Sequence, residues 1–142
     1  MKNLSIHDVK VGDREVWTRT MTDADVVMYG GLVGDRGPLH LDEEFAAGTH
    51  FGARVVYGMQ CGGYIGATLA QLLGIGSAYV SQSLRFKGPV LIGDRITVET
   101  EVTSINVERK RVFVSTTVRK NGDAVVVEGE AELVMFDVVW TP

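Results

Sequence analysis

The stretch from Gly58 to Leu73 holds Met59, Cys61, Tyr64, Ile65, Ala67, Leu69, Ala70, Leu72 and Leu73 and no charged side chain. Its length makes about four helical turns, and Gly74 suits the C-terminal stop. Apolar residues occupy most of the circumference, so such a helix has to be buried on several sides. Gly62, Gly63 and Gly66 each weaken it by roughly 1 kcal/mol relative to alanine. Close approach by the backbone of a sheet is the simplest offset.

Beyond Gly74 the chain carries strand patterning only. Val80, Gln82, Leu84 and Phe86 alternate with Ser81, Ser83 and Arg85. Ile96, Val98 and Val102 alternate with Thr97, Glu99, Glu101 and Thr103, and Val112, Val114 and Val118 with Phe113, Ser115, Thr117 and Arg119. In the final run Val125, Val127, Ala131, Leu133 and Met135 share one face, with Glu128, Glu130 and Glu132 on the other. Period-two alternation gives each strand a dry face and a wet one. Asn121-Gly122 predicts a hairpin, Gly93-Asp94 another turn, and Arg109-Lys110-Arg111 a third.

Upstream, Arg14 to Thr20 reads as a short strand, and Thr22-Asp23-Ala24-Asp25 as a capped helix start. Val26, Val27, Met28 and Tyr29 give that helix something to bury, and Gly30, Gly31 and Gly34 end or loosen it. Pro38 makes Gly34 to His40 a loop. A short helix comes next, capped by Asp42 and stopped at Gly48. A long antiparallel sheet with one apolar face and a single apolar helix is satisfied together when the sheet curls around the helix. That is an α+β chain of hotdog architecture, and antiparallel runs without alternating helices argue against a doubly wound fold. With 142 residues, no repeat and no linker, residues 1–142 read as one domain.

A net charge of −4 argues against a nucleic-acid partner. The lone Cys61 excludes an internal disulfide or a cysteine-cluster metal site and points to a reducing compartment. No run of signal-peptide or membrane-span length is present, so a cytoplasmic protein is expected. His7 and His50 lack partners at metal-binding spacing.

Asp35 and His40 stand five residues apart in the Gly- and Pro-bearing segment. Water addition to an activated double bond needs one group to orient and deprotonate water and another to deliver a proton. A carboxylate and an imidazole, with ordinary pKa values of about 3.9 and 6.5, can share that work. Spacing alone equally allows Asp35 to brace its own turn and His40 to cap the next helix.

The stretch Tyr29-Gly30-Gly31-Leu32-Val33-Gly34-Asp35-Arg36-Gly37-Pro38-Leu39-His40, with Ala46 beyond it, resembles the signature of the MaoC-like, (R)-specific enoyl-CoA hydratases. That pattern runs Gly-Asp-x-Asn-Pro-Leu-His, with an upstream Tyr and a small residue after the His. The resemblance continues through Phe45 to Gly52, Val55 to Met59, Tyr79 to Phe86 and Pro89 to Asp94. It implies a hotdog enzyme that hydrates an enoyl thioester carried on CoA or acyl carrier protein, with no metal or redox cofactor. It further implies that Asp35 and His40 hold and activate the water, and that the Gly58 amide donates to the thioester oxygen. A helix N-terminus suits that last role, because its free N–H groups favour a developing enolate. Three positions depart from the pattern: Gly37 replaces the Asn, Tyr57 replaces a His, and Gly66 aligns with a Ser found in some members. Each departure removes a polar group near the expected site.

Tyr57 and Met59 are further candidates for the acyl pocket, Arg54 for a phosphate or acyl carboxylate, and Arg85 and Lys87 for CoA phosphates. Plain core packing and solvated surface charge are the blander alternatives. A hotdog thioesterase is a competing reading, but Met59 to Leu73 lacks the acidic residue that such enzymes commonly use. A non-catalytic acyl-CoA-binding or partner subunit is another. An open sheet edge predicts a homodimer or higher oligomer.

Overall fold

The computed structural model describes residues 2–139. Its strands are β1 (Arg14–Thr20), β2 (Ser77–Gln82), β3 (Arg85–Phe86), β4 (Arg95–Asn106), β5 (Arg111–Lys120) and β6 (Ala124–Met135). Its helices are α1 (Asp23–Val33), α2 (Pro38–Leu41), α3 (Glu43–Ala47) and α4 (Gly58–Leu73). The sheet runs β1-β4-β5-β6-β2, with β3 also on β6, and every pairing is antiparallel. It curls around α4, which lies against β1, β4 and β5. Cys61, Ile65, Leu69, Leu72 and Leu73 of α4 share one core with Ile96, Val98 and Val102 of β4 and Val112, Val114 and Val118 of β5. Each large aliphatic side chain so buried contributes roughly 1.5–3 kcal/mol. No helix among the described residues is long and apolar enough to cross a membrane.

The local signals explain the ends of the elements. Thr22 Oγ1 accepts the Asp25 amide while the Asp25 carboxylate accepts the Thr22 amide, which closes a capping box on α1. Gly34 ends α1 at a left-handed φ of 78°, a conformation that favours glycine, and turns the chain into Asp35. Asn121 and Gly122 both take positive φ in the β5–β6 hairpin.

Several expectations are corrected. Pro38 does not forbid a helix here: it occupies the first position of α2, where its missing N–H costs nothing, so His40 sits on a one-turn helix. Of the α1 apolar residues, Val26 is buried, Tyr29 is half-buried, and Val27 and Met28 are exposed. The glycines of α4 do not meet a sheet backbone. Gly62 faces the Leu84 side chain, Gly66 faces the Tyr79 ring, and Gly63 faces open space. One stripe of α4, formed by Met59, Gly63, Ala67 and Gln71, is exposed.

The run Val80 to Phe86 is not one strand. It breaks into β2 and β3, with a bulge between Tyr79 and Ser81. At the break the chain crosses Gly129 so closely that a Cβ there would fall 1.8 Å from the Ser83 carbonyl oxygen. A register shift beside Val118 places an extra residue in β6. Val126 and Val127 are therefore both buried, while Val125 is only half-buried.

Candidate active site

His40 is held from two sides by the extended segment before α4. Its Nδ1 lies 2.6 Å from the Val55 carbonyl oxygen. A carbonyl only accepts, so Nδ1 carries the proton of the neutral ring and Nε2 keeps its lone pair. The His40 carbonyl accepts from Arg54 Nε at 2.6 Å, and the Val55 amide donates to the Leu39 carbonyl. The ring stacks on Tyr57, with centroids 3.8 Å apart and planes 23° apart.

Asp35 is exposed, directly after α1. Its Oδ1 accepts the Gly37 amide at 2.8 Å, the turn brace that short-range chemistry offers any such Asp. Oδ2 is left to receive another donor. A Cβ on Gly37 would lie 3.1 Å from Asp35 Oδ1 and 3.6 Å from His40 Cδ2. Both side chains therefore flank the same point, and the departure at Gly37 leaves the gap between them open.

A cavity of about 400 Å³ opens beside His40. His40 and Gly58 both line it, together with Cys61, Phe86, Pro89 and Val127 among other residues. Gly58 is the first residue of α4, where N–H groups have no partner within the helix. Phe86 packs on it, and a Cβ there would meet the Phe86 ring at 2.9 Å. Burial pushes the Cys61 thiol up to about 11, which makes it a neutral wall of the cavity.

The other predicted residues fall in different places. Lys87 lines the cavity and pairs with Glu128 at 3.2 Å. Arg85 is exposed on β3. Met59 is 59% exposed on the bare stripe of α4 and is not among the lining residues. Tyr57 is buried and lies under His40 rather than in the lining. Its hydroxyl donates to the Asp35 carbonyl oxygen at 2.7 Å. Burial, followed by the nearby Asp35 carboxylate, pushes that phenol above its ordinary range, so it remains a donor at neutral pH.

Arg54 is not free to meet a phosphate. It is 9% exposed and ion-paired to Asp23 at 2.7 Å and Glu43 at 3.2 Å. Its charge ties the first turns of α1 and α3 to the backbone of His40. Gly66 faces Tyr79 and is absent from the lining. Sequence reasoning misses Val55, which acts through a carbonyl that any residue supplies, and Phe86, which reads only as part of a strand. Among the described residues no cluster of three or more His, Cys, Asp or Glu side chains is arranged to hold a metal ion.

Known proteins resemble this chain in sequence and in fold. Residues 9–124 match the family model described as MaoC like domain. The chain is 41% identical to a 3-hydroxybutyryl-CoA dehydratase of Methylorubrum extorquens, over 92% of this chain and 83% of that protein. It is 40% identical to an (R)-specific enoyl-CoA hydratase of Rhodospirillum rubrum, over 90% of this chain and 89% of the relative. The solved unliganded R-hydratase of Pseudomonas aeruginosa superposes with a TM-score of 0.88 at 34% identity, covering 99% of this chain and 94% of that one. By fold, motif and overall similarity, the chain belongs to the MaoC-like domain family.

Proposed function

We propose that this chain catalyses the reversible hydration of an enoyl-CoA to an (R)-3-hydroxyacyl-CoA. The observation that carries this reading is that His40, with Nε2 free, and the first amide of α4 at Gly58 line one cavity, while the Asp35 carboxylate, outside the lining, flanks His40 across Gly37. The similarity to enzymes named for hydration and dehydration of acyl thioesters supports both the reaction and its (R) stereochemistry.

Asp35 and His40 accept hydrogen bonds from one water and aim its oxygen at C3 of the enoyl group. As the C3–O bond forms, the C2=C3 electron pair moves toward the thioester oxygen, where the Gly58 N–H stabilises the enolate. The Asp35/His40 pair takes the proton that the water sheds and returns a proton to C2. The sum is OH on C3 and H on C2, and dehydration runs the same path backwards. Thioester hydrolysis is disfavoured because α4 carries no Asp or Glu.

The same proposal takes the CoA thioester as substrate without a metal or redox cofactor. It reads residues 1–142 as one domain in the cytoplasm, supported by the shared core and the unpaired Cys61. A homodimer or larger homo-oligomer is supported by the open β2–β3 edge, which exposes Tyr79, Val80 and Phe86.

Crotonyl-CoA mixed with the protein should lose the absorbance of its conjugated thioester. Asp35→Asn and His40→Ala should each abolish that loss while circular dichroism stays native. Full activity in either variant contradicts the roles assigned.

A further inference from the structure

Tyr57 touches both members of the proton-handling pair. Its ring stacks under the His40 imidazole, and its hydroxyl donates to the carbonyl oxygen of Asp35. The hydroxyl fits only because residue 30 has no side chain. A Cβ on Gly30 would lie 2.5 Å from the Tyr57 hydroxyl oxygen and 3.0 Å from the Asp35 carbonyl oxygen. Gly30 is buried within α1, where glycine costs roughly 1 kcal/mol of helix stability relative to alanine. The helix thus carries an unfavourable residue at the position where a phenol from the segment before α4 must reach in.

We propose that Gly30 and Tyr57 form a matched notch and clamp that sets the Asp35 backbone against the His40 ring, and that Tyr57 is a positioning residue rather than a substrate ligand. This inference rests on the hydratase reading of the site. The Tyr57 ring stacks on His40 and packs against Tyr29 at 5.1 Å, its hydroxyl bonds to Asp35, and it is absent from the cavity lining. Loosening it therefore disturbs proton transfer and leaves thioester binding in place. It also gives the Tyr57 departure a purpose: the phenol reaches across to Asp35, and Gly30 makes the room.

The test is a double-mutant cycle on crotonyl-CoA hydration with wild type, Gly30→Ala, Tyr57→Phe and the double variant. Gly30→Ala should lower kcat about tenfold or more with KM changed by less than about twofold, because the added methyl pushes the phenol and Asp35 apart. In the Tyr57→Phe background the 2.5 Å clash is gone, and the contacts left, 3.0 Å to the Asp35 carbonyl oxygen and 3.2 Å to the ring, yield to small shifts, so the same substitution should cost less than about twofold. Equal costs in both backgrounds, or a fully active Gly30→Ala protein, overturn the clamp. If Gly30→Ala does not fold, Tyr57→Phe decides alone. A lower kcat at unchanged KM supports the clamp, and an unchanged kcat overturns it. A wild-type protein that hydrates no enoyl thioester overturns the proposed function together with the clamp, whereas an active wild type with additive substitutions overturns the clamp only.

Discussion

A backbone carbonyl decides which nitrogen of His40 is available. Val55 fixes the proton on Nδ1, and Arg54, one residue earlier, fixes the His40 carbonyl. Replacing Arg54 by alanine removes its bonds to the exposed carboxylates of Asp23 and Glu43 and to His40, and strands no buried charge. Unfolding free energy should fall by about 2 kcal/mol, the scale of hydrogen bonds to a charged group. Steady-state kinetics should show kcat down about tenfold, with KM for the CoA thioester nearly unchanged. A raised KM at constant kcat would instead mark Arg54 as a phosphate ligand. The roles proposed for Asp35, His40 and Gly58 come from the resemblance to the MaoC-like pattern, since spacing alone leaves Asp35 a turn brace and a backbone amide belongs to almost any residue. Arg54 is misread because a sequence shows a charge but not the distant carboxylates that claim it. Val55 is invisible because a carbonyl leaves no trace in residue identity.

At the level of elements, α4 is legible to the residue, since a charge-free run between two glycines has few alternatives. What it packs against is less legible. Its expected neighbour is sheet backbone, but its glycines meet the side chains of Leu84 and Tyr79 or open space. The division between β2 and β3 escapes the sequence because alternation continues through the break, and the cause lies on another strand, at Gly129. Adding a methyl at Gly129 forces the Ser83 backbone away from β6, a shift that flexible side chains cannot absorb. Chemical denaturation of Gly129→Ala should show a loss of about 3 kcal/mol or more. Leu69→Ala, in the centre of the α4 core, should lose a similar amount by cavity formation, about 3 kcal/mol. Pro38 is misjudged because the same ring that breaks a helix interior is well placed at its first residue.

The whole molecule carries a pH dependence to which two carboxylates contribute. Burial alone would raise Asp25, but hydrogen bonds from Thr22 and the Arg19 guanidinium hold it below the ordinary carboxylate range. Asp94 behaves alike, with the Leu91 amide, Asn121 and Lys120 outweighing its burial. Depressed folded values stabilise the native state above the unfolded pKa of about 3.9, and that contribution disappears as pH falls through the lower folded values. The denaturation midpoint should therefore drop steeply below about pH 4, and Asp94→Asn should flatten the drop. At the same scale, sedimentation at micromolar concentration should show a species heavier than the 15.4 kDa chain, since Tyr79, Val80 and Phe86 line an open edge. The most direct test of the site is a crystal structure with a 3-hydroxyacyl-CoA bound. Its hydroxyl should lie within hydrogen-bond reach of both the Asp35 carboxylate and His40 Nε2, with the thioester oxygen on the Gly58 amide. A hydroxyl out of reach of either side chain, or a thioester turned away from Gly58, would contradict the mechanism.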